Sequence, residues 1–226
     1  MSIYITGDTH IPIDIHKLSK KNWTEQNQLT KNDYLIICGD FGGVWDNSKE
    51  EQYWLKWLNQ KSLTTLFVDG NHENFDSLNS YPVEIWNGGK VHRIKENIIH
   101  LMRGQVFEIG GKKVFTMGGA SSHDKEHRKE GKSWWSDELP SEDEYNEALS
   151  NLDKDNWKVD LVITHCAADN IQSQIAYWYE HDKLTNFLET VRRDLDYGKW
   201  YFGHYHIDKN ATNKDVCIYK NIIKVN

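Results

Sequence analysis

Acidic, amide and imidazole side chains follow nearly every apolar run of this 226-residue sequence. In "WYFGHYH" an aromatic, strand-like run ends at a glycine, and His204 and His206 follow it two positions apart. The other residues placed in this way are Asp8, His10, Asp40, Asn71, His72 and His165. Carboxylate oxygen together with imidazole nitrogen suits Mn²⁺, Fe²⁺ or Zn²⁺, whereas Mg²⁺ and Ca²⁺ prefer oxygen alone. The residue types therefore indicate a site for a transition metal.

These candidate ligands exceed what one ion needs, even when His72 is left out. In two-metal sites a single carboxylate bridges ions about 3.5–4 Å apart, and the pair holds both the attacking and the leaving oxygen of a phosphoryl transfer. The surplus of ligands therefore predicts two ions. A mononuclear zinc hydrolase is the alternative, but the sequence has neither an HExxH motif nor a cysteine cluster to favour it.

The elements that must position these side chains are short runs of β-branched and aromatic residues, which predict buried strands. They read "IYITGD", "YLIICGD", "LFVDGNH", "VFTMGGA", "LVITHC" and "WYFGHYH". Loops at the carboxyl ends of strands in an α/β sheet meet at one crevice, so residues distant in sequence can converge there. A single Gly-Asp or Asp-x-His pair is an ordinary turn motif. The ordered series at successive strand ends is what predicts a composite site.

Helical patterns at residues 50–59 and 185–195 separate some of these strands, and Ser141 with Glu144 predicts a capping box that opens another helix. With the strand-rich region 90–117, they predict an α/β fold in which helices cover mixed sheets. The C-terminal "VCIYKNIIKVN" predicts a closing hairpin whose turn is at Lys220 and Asn221. The length predicts a single domain over residues 1–226. The charged stretch around 121–145 predicts a surface loop or lid.

Composition restricts the partners and the compartment. The formal charge of −7 argues against general affinity for nucleic acid, which is expected only as a substrate. Three cysteines without a CxxC motif predict free thiols in a reducing cytoplasm. Because no signal-peptide pattern or membrane-length apolar run is visible, we expect a soluble cytoplasmic protein without membrane contact. The oligomeric state does not follow from the sequence.

The ordered blocks "GDTH" (7–10), "GDFGG" (39–43), "GNHE" (70–73), "THCA" (164–167) and "GHYH" (203–206) resemble the signature of the calcineurin-like metallophosphoesterases. The rest of the chain resembles the small, prophage-like bacterial members. The resemblance implies a four-layer αββα sandwich, in which helices flank two mixed β-sheets and a dinuclear site lies at the strand ends. It also implies hydrolysis of a phosphate ester.

Carried over by position, the resemblance implies that one ion is bound by Asp8, His10 and His206. The other ion would be bound by Asn71, His165 and His204, and Asp40 would bridge the two. Of Mn, Fe and Zn, two Mn ions per chain are favoured. A hydroxide held between the ions would attack phosphorus in line with the leaving oxygen. His72 would stabilise the developing charge or protonate the leaving group.

The chain departs from the protein-serine/threonine phosphatases of the family, which read GDxxDRG and have an arginine before GNHE. Here these places hold "GDFGGVW" and Asp69, so two anion-binding arginines are missing. We expect Arg128 to bind a phosphoryl oxygen instead, with Asn71 also contacting the substrate and Trp135 stacking on a base or an apolar leaving group. The alternative is a solvated loop whose tryptophans only cover the core.

Several functions stay open at this stage. A phosphodiester is slightly favoured over a phosphomonoester, because it has fewer negative oxygens to neutralise. The expected substrate is a small phosphate ester or a nucleotide. The alternatives are a phosphomonoesterase, including a protein phosphatase, and a catalytically silent binding scaffold on the same fold.

Overall fold

The apolar runs form thirteen strands in two mixed sheets in the computed structural model, which describes residues 1–225. The first sheet contains β1 (Ile3–Thr6), β2 (Tyr34–Cys38), β3 (Thr64–Val68), β4 (Val83–Trp86), β5 (Gly89–Lys95), β6 (Ile98–Leu101) and β13 (Ile222–Val225). The second contains β7 (Gln105–Ile109), β8 (Lys112–Met117), β9 (Lys158–Thr164), β10 (Asp196–Phe202), β11 (Lys209–Asn210) and β12 (Asp215–Cys217). The order is β13-β1-β2-β3-β6-β5-β4 in the first sheet and β11-β12-β10-β9-β8-β7 in the second.

Parallel pairing in the centre of both sheets determines where the loops lie. Strands β1, β2, β3 and β6 run parallel to one another, and so do β8, β9, β10 and β12. The carboxyl ends of neighbouring parallel strands lie at the same edge of a sheet. The loops after β1, β2 and β3 therefore lie side by side in one sheet, and those after β9 and β10 do so in the other.

Alternating side chains of the strands divide the apolar core into layers. In the first sheet Ile5, Ile36 and Val68 face inward and pack with Val114 and Ile163 of the second sheet. Their neighbours in the same strands pack on the outer faces, where helices cover them. The helices are α1 (Lys49–Asn59), α2 (Phe75–Asn79), α3 (Glu142–Lys154), α4 (Asp169–Ile175) and α5 (Lys183–Asp194). The predicted αββα sandwich of two mixed sheets flanked by helices is confirmed.

Helix positions follow the sequence patterns closely. Helix α1 covers the first sheet with Trp54, Leu55 and Leu58. Helix α3 begins at the predicted capping box, in which the Ser141 side chain accepts from the Glu144 amide and the Glu144 side chain accepts from the Ser141 amide. None of the helices within residues 1–225 is long and apolar enough to cross a bilayer.

The predicted C-terminal hairpin is wrong. Strand β12 pairs with β10 and β11 of the second sheet, whereas β13 pairs antiparallel with β1 of the first. The carboxylate of Asp208 accepts hydrogen bonds from the backbone N–H groups of Tyr219, Lys220 and Asn221, which holds the crossing segment. The C-terminal chain therefore connects the two sheets instead of turning back on itself.

The segment 121–141, between β8 and α3, contains two short 3₁₀ turns at Lys125–His127 and Ser136–Glu138. The predicted excursion around 121–145 thus ends in the first turn of α3. Its role as a lid stays a prediction, and so does the single domain over 1–226, whose last residue lies outside the described part of the chain.

Candidate metal centre and active site

All seven predicted metal ligands lie at carboxyl ends of parallel strands. Asp8 and His10 follow β1, Asp40 follows β2, and Asn71 follows β3 in the first sheet. From the second sheet, His165 follows β9, whereas His204 and His206 follow β10. Both sheets therefore contribute side chains to one region of the molecule.

The first group of side chains consists of Asp8, His10, Asp40 and His206, whose ligand atoms lie within 4.8 Å of one another. His206 Nε2 is 3.1 Å from Asp8 Oδ2, and His10 Nε2 is 3.1 Å from Asp40 Oδ2. Asp8 Oδ2 is buried without a hydrogen-bond partner, although His206 is near. An unsatisfied buried carboxylate oxygen is costly. This orphaned oxygen and the mixed oxygen and nitrogen donors fit a divalent cation.

A second group lies on the other side of the Asp40 carboxylate. His165 Nε2 is 3.2 Å from Asn71 Oδ1 and 3.3 Å from Asp40 Oδ1, and the His204 ring centroid is 5.0 Å from that of His165. Asp40 therefore presents Oδ2 to His10 of the first group and Oδ1 to His165 of the second. One carboxylate connects the two groups.

Two histidines are oriented by hydrogen bonds at the ring nitrogen that faces away from the site. His10 Nδ1 is 2.8 Å from Asp14 Oδ2, and His165 Nδ1 is 2.8 Å from the carbonyl oxygen of Cys38. Metal-binding histidines commonly make such a bond to a carboxylate or a carbonyl group, which fixes the tautomer and the ring direction. Both rings therefore direct Nε2 at Asp40.

The electrostatics of the site favour positive charge beside Asp40. Burial alone would raise the pKa of its carboxyl group, but His165 and His10 outweigh burial and hold the pKa well below its usual range. Burial would likewise lower the pKa of His10 and His165, yet Asp40 raises both values to about 9. Protons on these imidazoles compensate buried carboxylates, and a metal cation supplies the same compensation.

Four of the candidate ligands have an unfavourable backbone conformation. The residues with positive φ include His10 at 34°, Asp40 at 47°, His204 at 68° and His206 at 50°. Non-glycine residues rarely adopt this conformation, and such strain clusters at functional sites. The tight turns after β1, β2 and β10 therefore direct side chains into the site at a cost in backbone energy.

Two glycines make room for the carboxylates. A Cβ atom at Gly70 would collide with Asp40 Oδ1, and one at Gly203 would collide with Asp8 Oδ1. Each glycine directly precedes a predicted ligand, Asn71 or His204. The blocks "GNHE" and "GHYH" thus need glycine because the loop backbone lies against a carboxylate of another block.

Comparison with protein families agrees with this geometry. The sequence model of the family described as calcineurin-like phosphoesterase matches residues 1–208. The chain belongs to the calcineurin-like phosphoesterase family. Membership of the calcineurin-like phosphoesterases makes it a hydrolase of phosphate esters and confirms the resemblance seen in the sequence blocks. Among functionally curated proteins, no sequence matches the chain.

In this calcineurin-like phosphoesterase His72 and Arg128 lie together beside the metal-ligand groups. The backbone N–H of His72 donates to Asp40 Oδ1 at 2.8 Å, and its ring contacts Arg128 with Nδ1 to Nη1 at 3.4 Å. Burial, aided by Arg128, lowers the pKa of His72 in spite of Asp40. Arg128 Nε is 2.8 Å from Asp124 Oδ1. A cavity of about 210 Å³ is lined by both residues together with Asp40, Asn71, His204 and His206.

Trp135, the third residue predicted to contact substrate, lies elsewhere in the phosphoesterase. Its side chain is buried, its indole N–H donates to Asp76 at 2.8 Å, and its ring packs edge-on against Trp45. It is not among the residues that line the cavity beside Arg128. Asn71 does line that cavity, and its amide nitrogen donates to Ser122 at 3.1 Å. The structure therefore brings Arg128 and Asn71 together but leaves Trp135 outside.

Besides Asp14, the sequence did not point to Tyr179 and Arg103 in the phosphoesterase site. The Tyr179 ring lies 5.4 Å from that of His204 and lines the same cavity as Arg128. Arg103 is buried and contacts Asp69, the residue before Gly70, with Nη2 2.6 Å from Oδ2. The same nitrogen donates to the carbonyl of Asp137 at 2.8 Å and so links the "GNHE" loop to the segment 121–141. Its place just after β6 is the signal that could have drawn attention to it.

Proposed function

We propose that the chain is a dinuclear metal-dependent phosphoesterase that acts on a small phosphate ester, with phosphodiesters slightly preferred. The observation that carries the proposal is the position of Asp40, whose two oxygens face His10 and His165 of different ligand groups. In two-metal hydrolases a carboxylate in this position bridges the ions. The donors mix carboxylate oxygen with imidazole nitrogen, which suits Mn, Fe or Zn, and of these we favour Mn.

The proposed ligand sets are those suggested by the sequence blocks. One ion would be held by Asp8, His10 and His206, the other by Asn71, His165 and His204, with Asp40 shared. When bound, two such ions supply Lewis acidity and lower the pKa of water to near neutrality. The chain itself holds the donor atoms in place through Asp14, Cys38 and the tight turns of the ligand loops.

Two residues beside Asp40 would act on the substrate directly. Arg128 projects two guanidinium nitrogens toward His72, in the cavity that Asp40 and Asn71 also line, and would bind a phosphoryl oxygen there. His72 would donate a hydrogen bond to the ester oxygen or supply its proton as negative charge develops. Burial keeps the pKa of His72 below its usual value.

Hydrolysis of a matched chromogenic phosphomonoester and phosphodiester tests the proposal. The purified protein, loaded with Mn²⁺, should turn over at least one of them, with the higher kcat/KM for the diester. Metal content measured on the same sample should be two ions per chain. Asp40→Asn should abolish turnover and reduce the metal content, because the bridging charge is lost.

Two results would contradict the proposal in different ways. A protein that binds a single ion per chain and is active would refute the dinuclear centre while leaving the esterase in place. A protein that binds two ions but hydrolyses neither ester would instead favour the silent scaffold. A higher kcat/KM for the monoester would overturn only the preference for diesters.

A further inference from the structure

A second cavity adjoins the candidate active site and shares two of its residues. Its volume is about 340 Å³, and His10 and His72 form part of its wall. His72 also lines the smaller cavity that contains Asp40 and Arg128. His72 therefore borders both the place proposed for the phosphoryl group and this second space, which we name the Trp45 groove.

The remaining wall of the Trp45 groove is apolar with an acidic rim. Ile11, Ile13, Trp45 and Trp54 supply the apolar surface, and Ile13 is 74% exposed. Glu50 and Asp46 also line the groove, and both are exposed. None of the described residues lining it is a lysine or an arginine. The groove therefore favours flat apolar groups, and its exposed acids repel negative charge at the side away from His10 and His72.

Hydrogen bonds to the buried carboxylate of Glu51 and to the carbonyl of Trp45 hold the wall loop in place. Glu51 Oε2 accepts from the backbone N–H groups of Trp45 at 2.7 Å, Asp46 at 2.8 Å and Asn47 at 3.0 Å. The carbonyl of Trp45 accepts from Asn74 Nδ2 at 2.6 Å, which joins the loop to the residues after "GNHE". The groove is thus preformed, so a ligand there does not have to order its own wall.

We propose that the Trp45 groove receives the organic part of the substrate that leaves with the ester oxygen. This inference rests on the proposed function and gives its substrate class: phosphate esters of a flat, apolar alcohol that is neutral or cationic. Because His72 lines both cavities, an ester oxygen bound beside His72 can place its organic group in the groove while the phosphoryl group lies beside Arg128. Leaving groups with a further phosphate or carboxylate are repelled by Asp46 and Glu50.

The test compares three ring-substituted 4-nitrophenyl phosphate esters, which carry methyl, (trimethylammonio)methyl or carboxymethyl groups. The methylene unit reduces the effect of the charge on the leaving-group acidity, and the remaining difference cancels when the ratio of two esters is compared between wild type and Glu50→Lys. Wild-type protein should hydrolyse the carboxymethyl ester with the lowest kcat/KM. Glu50→Lys should raise the kcat/KM of this ester roughly three- to tenfold relative to the methyl ester, and raised salt should diminish the change.

Glu50 is the suitable position for charge reversal, since Asp46 also accepts a hydrogen bond from the Ser48 amide at 2.9 Å and supports the turn. Glu108→Lys is the matched control, because Glu108 is an exposed acid that lines a different cavity. It should leave the ratio of the esters unchanged. Equal kcat/KM for the three esters, or the same ratio in Glu50→Lys as in wild type, would overturn the inference even though the protein is an active esterase.

A binding measurement keeps the inference testable without turnover. The indole N–H signal of Trp45, assigned with Trp45→Phe, is followed in NMR titrations with benzyltrimethylammonium and with phenylacetate. The cation should bind to wild-type protein with a lower Kd than the anion. Glu50→Lys should make the two Kd values more similar. Equal binding of the two ions in the wild-type protein would overturn the inference. Loss of hydrolysis alone would bear only on the proposed function.

Discussion

His72 is attached to the site by its backbone, because its N–H donates to Asp40 while its ring contacts Arg128. Removing the side chain therefore leaves the contact with Asp40 intact. We expect His72→Ala to lower kcat by roughly 10²–10⁴-fold, the usual contribution of a general acid or base. The metal content should equal that of the wild type, as measured by elemental analysis of the same sample.

His127→Ala serves as the control for this prediction, since His127 lies in the nearby segment, is exposed and does not line the cavity of His72. Its kcat should equal that of the wild type. Loss of metal from His72→Ala would show that the residue supports the metal centre instead of acting on the substrate.

Arg128 lines the cavity, where its Nη1 and Nη2 lie near the His72 ring, while its Nε contacts Asp124. We expect Arg128→Ala to raise KM roughly tenfold or more, the value of a charge-assisted hydrogen bond to an anion. The KM is measured by steady-state kinetics with whichever chromogenic ester has the higher kcat/KM. The exposed neighbour Lys129→Ala should change KM little. Unchanged KM in Arg128→Ala would remove Arg128 from the substrate site.

Residue types at strand ends were the part of the site that the sequence could predict. All seven candidate ligands converge, because position after a strand and donor chemistry are both local properties. The roles of Asp14 and Arg103 could not be predicted, since each depends on a contact to a distant loop or ring. Trp135 was expected to contact the substrate but packs in the core. The sequence around a tryptophan in a charged stretch does not show whether its side chain faces a ligand or the core.

Three adjacent strands of the first sheet share a buried polar chain. His92 of β5 lies opposite His100 of β6, with their Nδ1 atoms 3.1 Å apart, and His100 Nε2 is 3.1 Å from Asp69 Oδ1 after β3. Arg103 completes the chain on the other oxygen of Asp69. Burial, with His100 adding to it and Asp69 opposing it, lowers the pKa of His92 to about 4.

This low pKa predicts that the free energy of unfolding decreases as the pH falls. Unfolded histidine has a pKa near 6.5, so the unfolded state binds more protons between pH 6.5 and 4. The stabilising contribution of neutral His92 is complete above about pH 6.5 and is lost as pH falls toward 4. We expect a loss on the order of 1–2 kcal/mol, reduced because the adjoining cavity admits water. Urea unfolding at several pH values measures it.

His92→Asn tests this assignment, because the amide still offers a donor to His100 but does not titrate. Its stability should fall less steeply than that of the wild type between pH 6.5 and 4. His16→Asn, at an exposed histidine, should keep the wild-type slope. If the free energy of unfolding depends on pH equally in wild type and His92→Asn, the acid sensitivity arises from other groups.

Helices and strands were predicted well where the pattern was long, as for α1, α3 and the strand-rich region 90–117. The C-terminal hairpin failed for a physical reason. Two short apolar runs around a polar turn fit a hairpin locally, yet Asp208 binds the three N–H groups between them and directs each strand to a different sheet. Pairing partners depend on contacts that the two runs themselves do not encode.

At the scale of the whole molecule, the candidate metal centre joins the two sheets. Ligands after β1, β2 and β3 belong to one sheet, and those after β9 and β10 to the other. Ions bound there stabilise the folded state by mass action, with about 2.7 kcal/mol at one hundred times Kd. For a chain of this length we expect Mn²⁺ to raise the Tm of EDTA-treated protein by about 5–10 °C.

Differential scanning fluorimetry of metal-free protein against a Mn²⁺ series checks this prediction. Asp40→Asn should show a much smaller rise, because it weakens the residue that connects both ligand groups. Lys56→Ala, at an exposed position of α1, should show the full wild-type rise. A Tm independent of Mn²⁺ in the wild type would mean that the convergent residues do not bind the ion.

The close fit of Gly70 against Asp40 and of Gly203 against Asp8 has an evolutionary consequence. A relative that loses a ligand aspartate but keeps these glycines still has the backbone of an active enzyme, so a single reversion can restore its chemistry. Once a larger residue replaces either glycine, the carboxylate no longer fits and reversion at the ligand alone fails. The glycines, more than the ligands, therefore indicate whether a catalytically silent relative could regain activity by a single substitution.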